Sequence, residues 1–119
     1  MRIELENRLI NLARGISELC KDLENSFIAY HLTKQIIRSS TSAALNYGEA
    51  QAAESKKDFA HKIGILLKEL RETQISLRLL KNSVRDNEIE LHHNLENECA
   101  QLVAIFHKTV ITTRKNIKH

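Results

Sequence analysis

The sequence predicts an all-α protein, an up-down-up-down four-helix bundle, and three observations carry that prediction. Among 119 residues there is no proline, and the only glycines are Gly15, Gly48 and Gly64. Sandwiches and barrels spend Gly and Pro on their many turns, so this composition argues against them. Leu, Ile, Ala, Lys and Glu recur at helical spacing along four segments. The polar breaks between those segments are short, which forces successive helices to run antiparallel. The length suits one domain, residues 1–119.

The first helix is expected over Glu6–Leu23. Leu5, Leu9, Leu12, Ile16, Leu19, Cys20 and Leu23 form one stripe, while Glu4, Arg8, Arg14, Glu18 and Asp22 lie mostly outside it. The polar run Lys21–Ser26 holds the first turn, where Asn25 or Ser26 caps the next helix.

The second helix is expected over Ser26–Glu54. With Leu32 as the centre of its apolar face, Ile36, Ser39, Ala43, Asn46, Tyr47 and Ala50 fall within about 60°. Small and polar residues thus stand where a core usually carries Leu and Ile, which implies a tight helix crossing. The Ser39 hydroxyl can bond back to the carbonyl one turn earlier. Asn46 is expected to need a partner from another helix or subunit. A second strip, Tyr30, Ile37, Ala44 and Gly48, lies about 120–160° from that centre. Either it meets a further helix inside the bundle or it is a subunit interface, and Gly48 outside the core favours the interface.

Ser55 with Asp58 three residues on is a capping-box pattern and starts the third helix. Phe59, Ile63, Leu66, Leu70, Thr73, Leu77 and Leu80 make its core face. Lys57, Lys68, Arg71 and Arg78 gather on one flank, with Gly64 among them, and Asp58, Glu69 and Glu72 gather on the other. The basic flank reads either as a solvated face or as a stripe facing the phosphates of RNA or DNA. If it is only solvated, Glu69 and Glu72 would serve to pair with a neighbouring copy's Lys or Arg. Asn87-Glu88-Ile89-Glu90 repeats the capping signature and opens the last helix, expected to reach about Arg114. Leu91, Leu95, Cys99, Leu102, Phe106, Val110 and Thr113 face inward, and the basic tail Thr113–His119 is expected to fray.

Net charge is only +3, but residues 55–85 hold eight Lys and Arg against three Asp and Glu. The rest of the chain is slightly negative. This asymmetry is the main electrostatic clue to a partner.

Catalytic signals are sparse, and no catalytic residue is assigned. Glu90-x-x-His93 has the spacing used by di-iron bundles, but Asp58-x-x-His61 is the nearest thing to a second copy, and inward carboxylates are missing. His92 and His93 straddle the edge of the apolar face and are expected to be solvated. No metal and no other cofactor is expected. Arg85 followed by His92, and Arg114 followed by His119, fit the loose Arg-x(4–6)-His pattern of HEPN ribonucleases, at a frequency that chance explains. Cys20 and Cys99 fall on apolar faces and read as buried free thiols. With no signal peptide and no apolar run of membrane-spanning length, the expectation is a cytoplasmic protein without a membrane partner.

Across nearly its whole length the chain resembles the four-helix-bundle family encoded in intervening sequences of bacterial 23S rRNA genes. The residues that carry the resemblance run from Gln35 through Ala50, Gln-Ile-Ile-Arg-Ser-Ser-Thr-Ser-Ala-Ala-Leu-Asn-Tyr-Gly-Glu-Ala. Ser55–Phe59, Ile65–Thr73, Asn97–Cys99 and Ile105–Thr109 join them. Relatives often carry an aromatic pair near Gln74 to Leu77, which is absent here. The resemblance implies a non-enzymatic bundle that assembles with itself into a ring, typically a pentamer. It also extends to the accessory protein of diversity-generating retroelements, a basic ring that binds nucleic acid and a reverse transcriptase. The expected partners are therefore further copies of the chain, RNA or DNA, and, on the alternative reading, a reverse transcriptase. A HEPN-like ribonuclease is the alternative of a different class.

Overall fold

The computed structural model of the chain describes residues 2–118. It is an up-down-up-down bundle of α1 (Arg2–Lys21), α2 (Phe27–Gln51), α3 (Lys56–Leu80) and α4 (Ile89–Lys118), with no strand among the described residues. The bundle measures 50 × 25 × 20 Å. Each helix packs on its neighbours in sequence, and α4 closes the square against α1. The α2–α3 contact is the most extensive.

Two of the expected caps form. Ser26 Oγ accepts from the Ala29 N–H at 3.1 Å, and Ser55 Oγ accepts from the Asp58 N–H at 3.0 Å. Both hydroxyls satisfy a donor that the first helical turn leaves open. The other boundaries differ from expectation. Helix α1 begins at Arg2, because nothing in its first turn opposes a helix and Leu5 packs against the core. Asn87 is not a cap: it lies inside a 3-10 turn, Asp86–Glu88, that leads directly into α4. The basic tail continues as helix to Lys118, because Arg114 and Ile117 lie alongside the first turns of α3. The α1–α2 and α3–α4 turns meet at one end, where the Glu24 N–H donates to the Ser83 carbonyl at 2.8 Å.

The core is built from the predicted stripes. Leu9, Leu12, Ile16 and Leu19 of α1 meet Ile36 and Ala43 of α2, Ile63 through Leu80 of α3, and Cys99, Leu102 and Phe106 of α4. Each large aliphatic side chain so buried contributes about 1.5–3 kcal/mol of transfer free energy. Tyr47 meets Phe106 edge to face, 5.6 Å between ring centroids.

The small and polar stretch of α2 marks its close approach to α3. Ser39 Oγ lies 3.3 Å from the Ile36 carbonyl and 2.8 Å from Thr73 Oγ1, and Thr73 Oγ1 also reaches the Glu69 carbonyl at 2.9 Å. Asn46 differs from expectation, because the partner it finds lies on its own helix. Its Nδ2 donates to the Ser42 carbonyl at 2.9 Å and to Ser42 Oγ at 3.1 Å, both one turn back on α2. An amide can satisfy itself on its own helix as a hydroxyl does.

Candidate nucleic-acid interface

Lys57, Lys68, Arg71 and Arg78 all lie exposed on the outer face of α3, and none takes part in an ion pair among the described residues. They stand unneutralised because α3's later carboxylates are already engaged. Arg38 of α2 forks across the helix pair, with Nη1 on Glu69 Oε2 at 2.8 Å and Nη2 on Glu72. Glu69 is buried, at 7% exposure. Burial alone would push its carboxyl up, but hydrogen bonds from Ser42 and Arg38, together with the Arg38 charge, hold it below the ordinary carboxylate range. The fallback role for Glu69 and Glu72, pairing with a neighbouring copy's cations, meets a competing partner in Arg38. They are paired within the chain. Lys62 is likewise taken by Glu49 of α2, at 3.1 Å.

Helix α4 extends the basic face. A groove of about 400 Å³ runs between α3 and the end of α4, with Lys57, His61, Gly64 and Lys68 on one side and Arg114 and Ile117 on the other. No carboxylate lines it. Further along, Arg71 Nη2 lies 3.3 Å from His107 Nδ1. A guanidinium can only donate, so Nδ1 accepts and the ring carries its proton on Nε2. The sequence did not assign His61, His107 or Arg114 to the stripe, although the antiparallel course of α3 and α4 places them beside it.

The second strip of α2 lies on the surface in part. Tyr30 is exposed with Lys34 Nζ 4.5 Å from its ring centroid, Ile37 is at the margin of exposure, and Gly48 is open, with nothing within 4 Å of an added Cβ. Ala44 is half-buried against the core. Phe27 and Leu45, both exposed, extend the apolar surface of the same helix.

The HEPN-like pair does not assemble. Arg85 is exposed in the α3–α4 turn, but His92 is 4% exposed, contrary to the solvated position expected for it. Its Nε2–H donates to the Leu77 carbonyl at 2.7 Å, and Nδ1 lies 3.5 Å from Glu96 Oε1. The end of α3 explains this burial. The Lys81 N–H turns to Arg78 in a 3-10 geometry, and the Leu77 carbonyl takes its donor from α4 instead. His119, of the other pair, lies outside the described residues. His93 is exposed and its Nε2 sits 3.2 Å from Asn97 Nδ2. Among the described residues no three His, Cys, Asp or Glu side chains gather as a metal site would require. Both thiols are free; burial pushes Cys99 up to about 12 and raises Cys20 as well. No described helix is long and apolar enough to cross a membrane.

A sequence profile described as "23S rRNA-intervening sequence protein" matches residues 2–108. The chain belongs to that family. The intervening-sequence match contains all four α3 cations and the whole outer strip of α2, and it stops before Arg114. A similar solved structure is the crystal structure of a protein of unknown function from the S23 ribosomal protein family of Bacteroides thetaiotaomicron VPI-5482. It is 27% identical, with a TM-score of 0.74 over 92% of this chain and 98% of that one. No curated protein matches the chain.

Proposed function

We propose that this intervening-sequence protein is a non-enzymatic nucleic-acid-binding scaffold that works as a homo-oligomeric ring. Its copies join through the outer strip of α2, five being the number that the family resemblance suggests. The α3 cations face a phosphate backbone. The observation that carries this reading is the division of charge on α3. Arg38 absorbs Glu69 and Glu72, and Lys57, Lys68, Arg71 and Arg78 are left without acidic partners among the described residues. One stripe makes few phosphate contacts and binds weakly. A ring repeats the stripe in every subunit, and linked sites raise avidity by roughly 10²–10⁴. A non-enzymatic role suits a candidate pair whose histidine is buried as a helix cap.

The test is an anisotropy titration with RNA and DNA at two salt concentrations, comparing wild type with Lys68→Glu/Arg71→Glu. Binding that is indifferent to sequence, weakened by salt and lost on charge reversal is the expected result. An affinity unmoved by salt and by charge reversal would leave the stripe as a solvated surface.

A further inference from the structure

We propose that the α3–α4 groove seats a single nucleic-acid strand, its phosphates held between Lys57 and Lys68 on one wall and Arg114 on the other, with His61 and His107 making the binding proton-linked. This rests on the nucleic-acid reading above and deepens it, because the partner, the route and the response to pH are now assigned.

Three features of the groove select this ligand. Its charged lining is cationic throughout, so it suits a polyanion. It is an open groove of about 400 Å³ between two helices, a volume that takes one chain of sugar and phosphate but not the body of a duplex. No Phe, Tyr or Trp lines it and His61 is its one aromatic ring, so few bases can stack and most point outward unread.

Gly64 is the fourth feature. A glycine inside a helix is destabilising relative to alanine, and packing within the chain does not require this one: an added Cβ would meet nothing within 4 Å. The open space above it lies between Lys57 and Lys68, where a strand would pass closest to the helix backbone.

The imidazoles supply the proton linkage. His61 shares the groove with Lys57 and Lys68 of α3 and Arg114 of α4, while His107 stands beyond it against Arg71 of α3, with Lys108 next to it along α4. Asp58, one turn before His61, is the nearest carboxylate along α3, and Lys62 beside His61 is held by Glu49. His107 accepts a hydrogen bond from Arg71 only while Nδ1 is unprotonated. A proton on Nδ1 removes that acceptor and adds a positive charge beside Arg71. A bound phosphate favours that protonated form, so binding takes up protons.

The experiment titrates the full chain with a labelled oligothymidylate, whose bases do not ionise between about pH 5.5 and pH 8. Variants are Arg114→Gln, Gly64→Leu and the double variant His61→Gln/His107→Gln, each checked for an unchanged helical spectrum. Arg114→Gln should flatten the salt slope by about 0.7, the share of one phosphate contact on a single strand. Gly64→Leu keeps the fold, because leucine is a better helix former and its Cβ is unobstructed, yet it should abolish binding by filling the channel. Wild type should show a slope steeper by about 0.7 per histidine at the lower pH, and the double histidine variant should lose that difference. Undiminished binding by Gly64→Leu, or a preference for duplex over single strand, overturns the seat. A pH response that survives in the double histidine variant overturns the proton linkage. Wild type that binds nothing at low salt at either pH removes the nucleic-acid reading itself. Binding that Lys68→Glu/Arg71→Glu abolishes but Arg114→Gln and Gly64→Leu leave intact keeps that reading and removes only the groove.

Discussion

Arg38 sets the electrostatics of α3 although it belongs to α2. By holding Glu69 and Glu72 it fixes the α2–α3 register and strips the stripe of its acids. Arg38→Ala leaves the buried Glu69 carboxylate with Ser42 as its remaining partner, at a cost of roughly 1–3 kcal/mol. Because the folded-state carboxyl titrates lower than in the unfolded chain, its contribution is complete above the ordinary carboxylate range and disappears as pH falls through the folded value. Denaturation of wild type and Arg38→Ala should therefore show a gap at neutral pH that narrows as the solution is acidified below the ordinary carboxylate range. A gap of the same size at both would mean that only the aliphatic stem of Arg38 matters. Gly15 is a different case from Gly64. A Cβ at Gly15 would stand 2.6 Å from Leu95 Cδ2, a side chain packed at 6% exposure where α1 meets α4. Overpacking of that kind costs about 1–3 kcal/mol, more than the helix propensity gained, so Gly15→Ala should lower the melting temperature. A rise would show that Leu95 swings aside freely. Neither the Arg38 fork nor the Gly15 contact was legible in the sequence, because both depend on which turn of one helix faces which turn of another.

At the scale of the element, the four helices and their inward faces could be read from the period of the apolar residues, and two starts from Ser26 and Ser55. The junctions could not. The α3–α4 connection is stitched by 3-10 turns and by His92, whose position at the edge of the apolar face gave no hint that a carbonyl of α3 would call for it. The outer strip of α2 was legible as a second apolar line, but its inner edge was not: Ala44 rests on the core while Gly48 faces open space. That difference chooses the better probe of assembly. Gly48→Glu disturbs nothing within the chain, and at a subunit interface it would bury an unpaired charge at a cost of several kcal/mol. Light scattering should find it folded and dissociated. An unchanged oligomer would place the contact between copies elsewhere on the surface.

For the molecule as a whole, the charge asymmetry seen along the sequence becomes an asymmetry of faces. The α2-facing side of α3 is neutralised by internal pairs, and the side shared with α4 is cationic from Lys57 to Arg78 with Arg114 opposite. A linear count of charges showed the excess on residues 55–85 but could not show that α4, nearly neutral by itself, adds to the same wall. Self-assembly and polyanion binding depend on each other, because only a ring multiplies the weak contacts of one stripe. Native mass measurement reads both at once, on wild type alone and mixed with a short uridine oligomer at low salt. The expected species is several times the 13.7 kDa of one chain and gains the mass of bound oligomer. A single 13.7 kDa chain that takes up no oligomer would contradict it.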